Sequence, residues 1–543
     1  MKIADTVIYG NFYTVDKKNP KAEAVAIKDG IFIYVGNAEG VKNYIGENTE
    51  VVKNDDGLII PGMTDGHAHG NFAAIQLFMC SLHSCNTLEE IRESLKKFIA
   101  EHEDFDVISG MGWNYTTFDE NGPNAAMIDD LTDKPMVLLD VGGHAYWLNS
   151  AMMKLKGIDK NTPDVNDGVI YRDAEGNPTG YFKEGAVVYF SEYVFHFPLE
   201  QYKQAILYFQ NMAFSKGLTM YFDPIVNFNG IETGVEKVYQ QLDAEGKLKI
   251  HVHGGYQVLA DKNPVAGVER AAQLRKESKS ANFDLDHIKI LLDGVIESKT
   301  AYLNEPYSNN DDSEKDFRGL VLFDEDTLTA TLKRANELGL ITHIHSMGDG
   351  ATKTSLDSHE KAGTTPKMRN AITHLQLVNP KDILRMAKLG IVAVTNPYWF
   401  TKDLSYDLSV ACIGEKRAEE QYPMKALFDA GIVVTTASDY PILTVFNPLQ
   451  DIQRGVMRQL PNQPETLMGG NERVTVEKMI EAVTLNGAYQ LKCEDKLGSI
   501  TVGKQADLVV LDLDIIACKP ENIADTKVLK TMVGGEWVFT REV

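Results

Sequence analysis

Eight short apolar runs recur through this chain, and stretches with helical spacing lie among them. The runs are Leu58–Asp65, Leu218–Asp223, Lys249–Tyr256, Ile288–Asp293, Ile341–His345, Ala371–Leu375, Ile391–Thr395 and Ile432–Ser438. Helical stretches include Thr87–His102, Asp324–Leu338 and Met424–Ala430. A run of this length bounded by turn residues reads as a buried strand. Buried strands alternating with helices build a parallel sheet with the helices packed on it. Eight such strands predict an α/β protein with a (β/α)8, or TIM, barrel.

One interval breaks the rhythm. About 150 residues separate Asp65 from Leu218, far beyond the roughly 2–6 residues of a normal βα loop. An inserted subdomain is expected there, at about residues 103–190, between barrel strands 1 and 2. Its glycines (Gly110, Gly112, Gly142, Gly143, Gly168, Gly176, Gly180) suggest turns between small sheets. Both ends of the chain read as short strands. Lys28-Asp29-Gly30 is a hairpin signal between two β-rich runs, and Gly503, Gly534 and Gly535 punctuate the C-terminal ones. Neither end can bury a core alone. Residues 1–57 and 491–543 are therefore predicted to form one small β-sandwich beside a barrel over residues 58–490. A length of 543 residues agrees with more than one core.

Composition removes several function classes. The formal net charge is -23, from 77 acidic and 54 basic residues. Such a surface repels phosphate backbones and anionic lipid heads, so neither nucleic acid nor membrane is an expected partner. The opening residues lack the apolar stretch of a signal peptide. Cys80, Cys85, Cys412, Cys493 and Cys518 are odd in number and scattered, which predicts free thiols and a cytoplasmic home. A small-molecule substrate is the expected partner, and a homodimer a candidate assembly.

Catalytic groups of a parallel barrel sit at the C-terminal ends of its strands. Strand one ends in Asp65-Gly66-His67-Ala68-His69, strand five in His343-Ile344-His345, strand six in His374 and strand eight in Asp439. Strand four carries Lys289, and strand three carries His251 and His253. His-x-His on an extended segment turns both imidazoles to one face. Imidazole ligates zinc and similar divalent metals. Chance alone gives on the order of 0.3 such pairs here, and the chain has three, so the pattern needs context. The 251/253 pair reads as satisfied interior histidines. The 67/69 pair reads as a metal site, because Gly62, Gly66 and Gly70 allow close backbone approach and later strands end in further ligand types. An ammonium group cannot ligate metal. A buried Lys289 loses charge and can then add carbon dioxide to give a carbamate. Pairing with Asp293 or another carboxylate is the plainer alternative.

Pro61-Gly62-Met63-Thr64-Asp65-Gly66-His67-Ala68-His69 resembles the opening signature of the amidohydrolase superfamily. His345-Ser346-Met347-Gly348-Asp349-Gly350-Ala351 and Lys289-Ile290-Leu291-Leu292-Asp293-Gly294 are similar to the YtcJ-like branch, which includes N-substituted formamide deformylase. Ala437-Ser438-Asp439-Tyr440-Pro441 and Gly503-Lys504-Gln505-Ala506-Asp507-Leu508 fit too. The resemblance implies one or two divalent metals, with zinc the expected ion. It implies that His67, His69 and Asp439 hold the first, that His345 and His374 hold the second, and that an N6-carboxylated Lys289 bridges them. His343 has no ligand role in that pattern. Trp113, His144 and Glu184 resemble segments that approach the active site in relatives, and Trp113 and Trp147 read equally well as core of the inserted subdomain. Two departures stand out: Phe222-Asp223 where many relatives carry His-Asp, and Asn396-Pro397-Tyr398 where Gln often precedes the proline. Neither is expected to touch a predicted ligand. Both are expected to shape the pocket wall.

The implied activity is hydrolysis of a C–N bond: an amide, an N-acyl or N-formyl group, or a cyclic amide. Asp439 would move the proton from the attacking water to the leaving amine. His144 would donate to the developing oxyanion. Trp113, Tyr146, Trp147, Phe182, Tyr398, Trp399 and Phe400 hint at an apolar or aromatic substrate. The rivals are a deaminase or an esterase on the same scaffold, and a non-catalytic scaffold protein.

Overall fold

The computed structural model describes residues 2–54, 57–119, 121–141, 144–164, 168–184, 186, 190, 197–310, 313, 315–442 and 446–542. They fall into two compact units, Met1–Gly70 with Leu207–Val543, and Asn71–Ile206.

The first unit holds the barrel. Its strands are Met63–Asp65, Leu218–Asp223, His251–Gln257, Phe283–Leu291, Ile341–Ser346, Ala371–His374, Val392–Thr395 and Val434–Thr436. They pair in sequence order, and every pairing is parallel. Strand eight meets strand one through single hydrogen bonds: the Gly66 amide donates to Thr436 O (2.8 Å) and the Asp439 amide to His67 O (2.9 Å). The sheet is thus a nearly closed eight-stranded barrel, as the apolar rhythm predicts. Helices return between strands as expected. Glu325–Leu338, for instance, is capped by the Asp324 side chain and ended by Gly339 at φ +68.

The first predicted run, Leu58–Asp65, divides. Ile59–Pro61 pairs antiparallel with Leu508–Leu511, whereas Met63–Asp65 enters the barrel. Gly62 makes the break, since a Cβ there would meet Thr219 Oγ1 at 2.2 Å. Strands from both termini join Ile59–Pro61 in one continuous eight-stranded sheet. Its core brings Phe12, Val25 and Phe32 against Leu508, Val510 and Met532.

The second unit has its own six-stranded sheet. It begins earlier than the expected stretch at 103–190. Helix Leu88–Glu101, which the sequence rhythm assigns to the barrel's alternation, instead buries Ile91 and Leu95 with Cys80, Ile108 and Trp113. Among the described residues no helix is long and apolar enough to cross a membrane.

His359, on helix Asp349–Lys361, is fully buried, and burial pushes its imidazole down to about 3. Below pH 6.5 the unfolded chain therefore takes up a proton that the folded chain refuses. Stability from this group is complete above pH 6.5 and falls towards pH 3, by up to about 1.4 kcal/mol per pH unit. His359→Leu should flatten the acid limb of a denaturant-midpoint-against-pH curve. An unchanged limb would remove His359 from the account.

Candidate metal centre

Sheet geometry delivers the predicted side chains to one end of the barrel. His67 and His69 follow strand one, and Asp439 follows strand eight. His67 Nε2 and His69 Nε2 each lie 3.3 Å from Asp439 Oδ1, and the three donors converge within 4.8 Å. The backbone holds this triad in place. The His69 amide donates to Tyr440 O (2.7 Å), and Asp65 Oδ1 accepts from the amides of His67 (3.0 Å) and Ser438 (3.2 Å). Asp65 thus ties the two loops together, a role that its place in the motif does not reveal. Gly66 is required because a Cβ would meet Gln490 Oε1 at 2.6 Å and Thr436 O at 2.9 Å.

The other predicted groups stand beside this triad. The His374 ring lies 5.2 Å from that of His67 and 4.6 Å from that of His345. Hydrogen bonds select which nitrogen of each ring is free. Asn396 Nδ2 donates to Ala437 O (3.0 Å), which turns its Oδ1 to accept from His374 Nδ1–H (2.9 Å). The lone pair of His374 is then on Nε2. His345 Nε2–H donates to Gly294 O (3.2 Å), leaving Nδ1 as its donor atom. His67 Nδ1 and His343 Nε2 are 2.8 Å apart, and a proton on the former leaves His67 Nε2 free to face Asp439. His374 (φ +78) and Asp439 (φ +57) hold left-handed backbone, which costs of order 1–3 kcal/mol per residue and clusters at functional sites.

Electrostatics prepares these groups for a cation. Burial, with the nearby Lys289 adding to it, holds His67 and His345 well below their ordinary values. Burial brings His374 to about 4. All three imidazoles are neutral at neutral pH, the form in which a ring nitrogen can bind a cation. Burial also lowers Lys289 to about 7, with Asp439 opposing. Of the plainer pairings, the one between Lys289 and Asp293 is not what forms. Asp293 instead accepts from the amides of Tyr302, Met347 and Gly348. Burial opposes the charge on Asp439, but the His67 and His69 rings beside it hold its carboxyl well below the usual carboxylate range. Neutral imidazoles, one carboxylate and a lysine poised to lose its proton fit a divalent ion.

Two expectations need correction. Both sequence departures touch the centre. Asn396 orients His374, and the Phe222 ring packs against His67 (centroids 6.3 Å apart) and His343 (4.6 Å). Trp113 is not a substrate contact: it is 0% exposed in the core of the second unit, and its indole N–H donates to Leu138 O (2.9 Å). Tyr146, Trp147, Phe182 and Phe400 are likewise buried. Tyr398 is half-buried in the turn Pro397–Trp399. Its neighbour Trp399 is the aromatic that packs on His374, at 5.5 Å. His144 is exposed in the second unit, with its amide donating to Asp140 Oδ1 (2.7 Å). Glu184 ends strand Pro178–Glu184, and its side chain lies outside the described residues.

Because Asn396 fixes the usable nitrogen of His374, Asn396→Ala should weaken metal affinity by about 10–100-fold, as removal of a ligand's hydrogen-bond partner typically does. Competition against a chromophoric chelator measures this. Unaltered affinity would show that the ring is held by packing alone.

The amidohydrolase family profile matches residues 50–539. The chain belongs to the amidohydrolase family. It is a metal-dependent hydrolase with that family's barrel. Putative amidohydrolase YtcJ of Bacillus subtilis is 27% identical, over 98% of each chain. N-substituted formamide deformylase of Arthrobacter pascens is also 27% identical, again over 98% of each. Among solved structures, an uncharacterized metal-dependent hydrolase from Pyrococcus horikoshii superposes with a TM-score of 0.77 at 22% identity, over 95% of this chain and 99% of that one.

Proposed function

We propose that this amidohydrolase cleaves the C–N bond of an amide, N-acyl or N-formyl amine, or cyclic amide, using His67, His69, Lys289, His345, His374 and Asp439 as its metal ligands. The observation that carries the reading is the meeting of two ligand groups around a lysine brought to about 7. A lone amine there adds carbon dioxide. The Nζ–C bond forms, one proton leaves, and the resulting carbamate offers two oxygens. His67, His69 and Asp439 would hold one ion, His345 and His374 the other, and the carbamate both. Divalent ions, zinc by the donor set, supply a Lewis acid and a hydroxide nucleophile at neutral pH. Asp439 Oδ accepts the proton of the attacking water and returns it to the leaving amine. His144 would donate to the oxyanion. Tyr398 and Glu184 remain candidate substrate contacts, and Trp399 on His374 adds an apolar wall suited to a hydrophobic acyl or amine group. The full-length likeness to a deformylase supports the choice of bond. Five free cysteines support a cytoplasmic setting.

The test is a panel of N-formyl and N-acyl amines, cyclic amides, esters and amino-substituted heterocycles, with amine and ammonia release followed separately and metal counted. Amine release with two ions at the centre of His67, His69, Lys289, His345, His374 and Asp439 supports the reading. Ammonia from a ring substrate with one ion at that centre would make the protein a deaminase instead.

A further inference from the structure

A second convergence of metal-ligand side chains lies one layer away in the same barrel. Strands three and four are parallel, but their register slips. His253 pairs with Asp284 and Gly255 with His287, so two steps on one strand match three on the other. Such a bulge re-aims side chains. Asp286 and His287, neighbours that a regular strand would point to opposite faces, here meet, with His287 Nδ1 2.6 Å from Asp286 Oδ1. His253 Nδ1 comes from strand three to 3.0 Å of the same oxygen and 3.1 Å of its partner. The three donors lie within 4.8 Å of one another. The Phe222 ring, 4.5 Å from His287 and 4.6 Å from His343, separates them from the hydrolytic centre.

We infer that His253, Asp286 and His287 form a second divalent-cation site, suited to zinc or an ion of similar softness. A tetrahedral ion with bonds of about 2.0–2.1 Å holds its donors about 3.3 Å apart, so the 3.0 Å spacing from His253 to Asp286 must open by about 0.3 Å and the 2.6 Å spacing from His287 by about 0.7 Å. Two imidazoles and a single carboxylate favour zinc over calcium or magnesium, which demand more oxygen ligands. Asp286 and His287 are buried, and the His253 side chain is 15% exposed, which gives an ion a way in. The ion displaces the proton that keeps His253 cationic beside Asp286. Water fills the remaining position. Lys492 and Cys493 complete the surroundings: Lys492 feels the charge of Asp286, and Cys493 neighbours His253. Bound there, the ion would brace strand three against strand four where the bulge interrupts their ladder.

Wild-type crystals equilibrated with zinc chloride, with data collected at the zinc absorption edge, should show an anomalous peak bonded to His253, Asp286 and His287, separate from any at His67, His69 and Asp439. In solution, His253→Gln and Asp286→Asn should each hold one zinc fewer per chain than wild type, whereas His69→Ala should retain the lower ion. No peak among these three residues, or equal zinc content in wild type and both variants, overturns the site. Should the variants fail to fold, the wild-type map decides alone. That failure would leave the hydrolytic reading untouched, because the upper centre shares none of these ligands.

Discussion

Asp439→Asn should lower kcat by on the order of 10³-fold or more while the chain remains folded. Asparagine has the same shape, and the main-chain bond from residue 439 to His67 O does not involve the side chain. What changes is charge and basicity. The wild-type carboxylate faces Nε2 of both His67 and His69 at 3.3 Å, and its negative charge favours the protonated form of Lys289. An amide at that position can neither accept the water's proton nor offer an anionic ligand. Circular dichroism and the melting transition check the fold, and turnover at saturating zinc separates lost proton transfer from lost metal. Wild-type-like turnover in this variant would sink the mechanism.

Lys289→Ala and Lys289→Arg should both lower kcat/KM by about 10²-fold or more, at or beyond the top of the roughly 10–100-fold range for removing an outer partner of a metal ligand. The pair discriminates between two uses of the lysine. If the site needs a cation, arginine supplies one and retains activity. If it needs a carbamate, arginine fails, because guanidinium stays protonated and cannot add carbon dioxide. Alanine leaves a space that a short carboxylic acid can enter, so added acetate or propionate should restore part of the activity to Lys289→Ala and none to Lys289→Arg. Reconstitution of metal-free wild type in carbon-dioxide-depleted buffer should give less activity than in bicarbonate. Full activity in Lys289→Arg would remove the carbamate from the mechanism.

The centre is placed by backbone rules that act over a few residues. His-x-His after a strand, a histidine ending the sixth strand and an aspartate just beyond the eighth are all legible, because a parallel barrel sends strand ends to one face. The departures are different. Asn396 reads as a pocket-wall substitution, yet its amide is held by Ala437 O from the next strand, and that contact turns its oxygen onto His374. Trp113 reads equally well as core or pocket, since residue type does not reveal which side of a sheet is filled. Helix Leu88–Glu101 has the right period for a barrel helix and belongs to another sheet. Period specifies an apolar face and says nothing of what covers it.

The sequence by itself determined the α/β class, the barrel, the join of the two termini and most of the residues that meet at its end. Each follows from local spacing and from the handful of ways a parallel sheet can close. Only the tertiary structure decided which nitrogen of His345 and His374 is free, that Lys289 stands opposite Asp439 and apart from Asp293, and that a bulge gathers His253, Asp286 and His287. Those outcomes depend on contacts between strands distant in sequence and on the loss of water around them, and neither is written in the order of the residues.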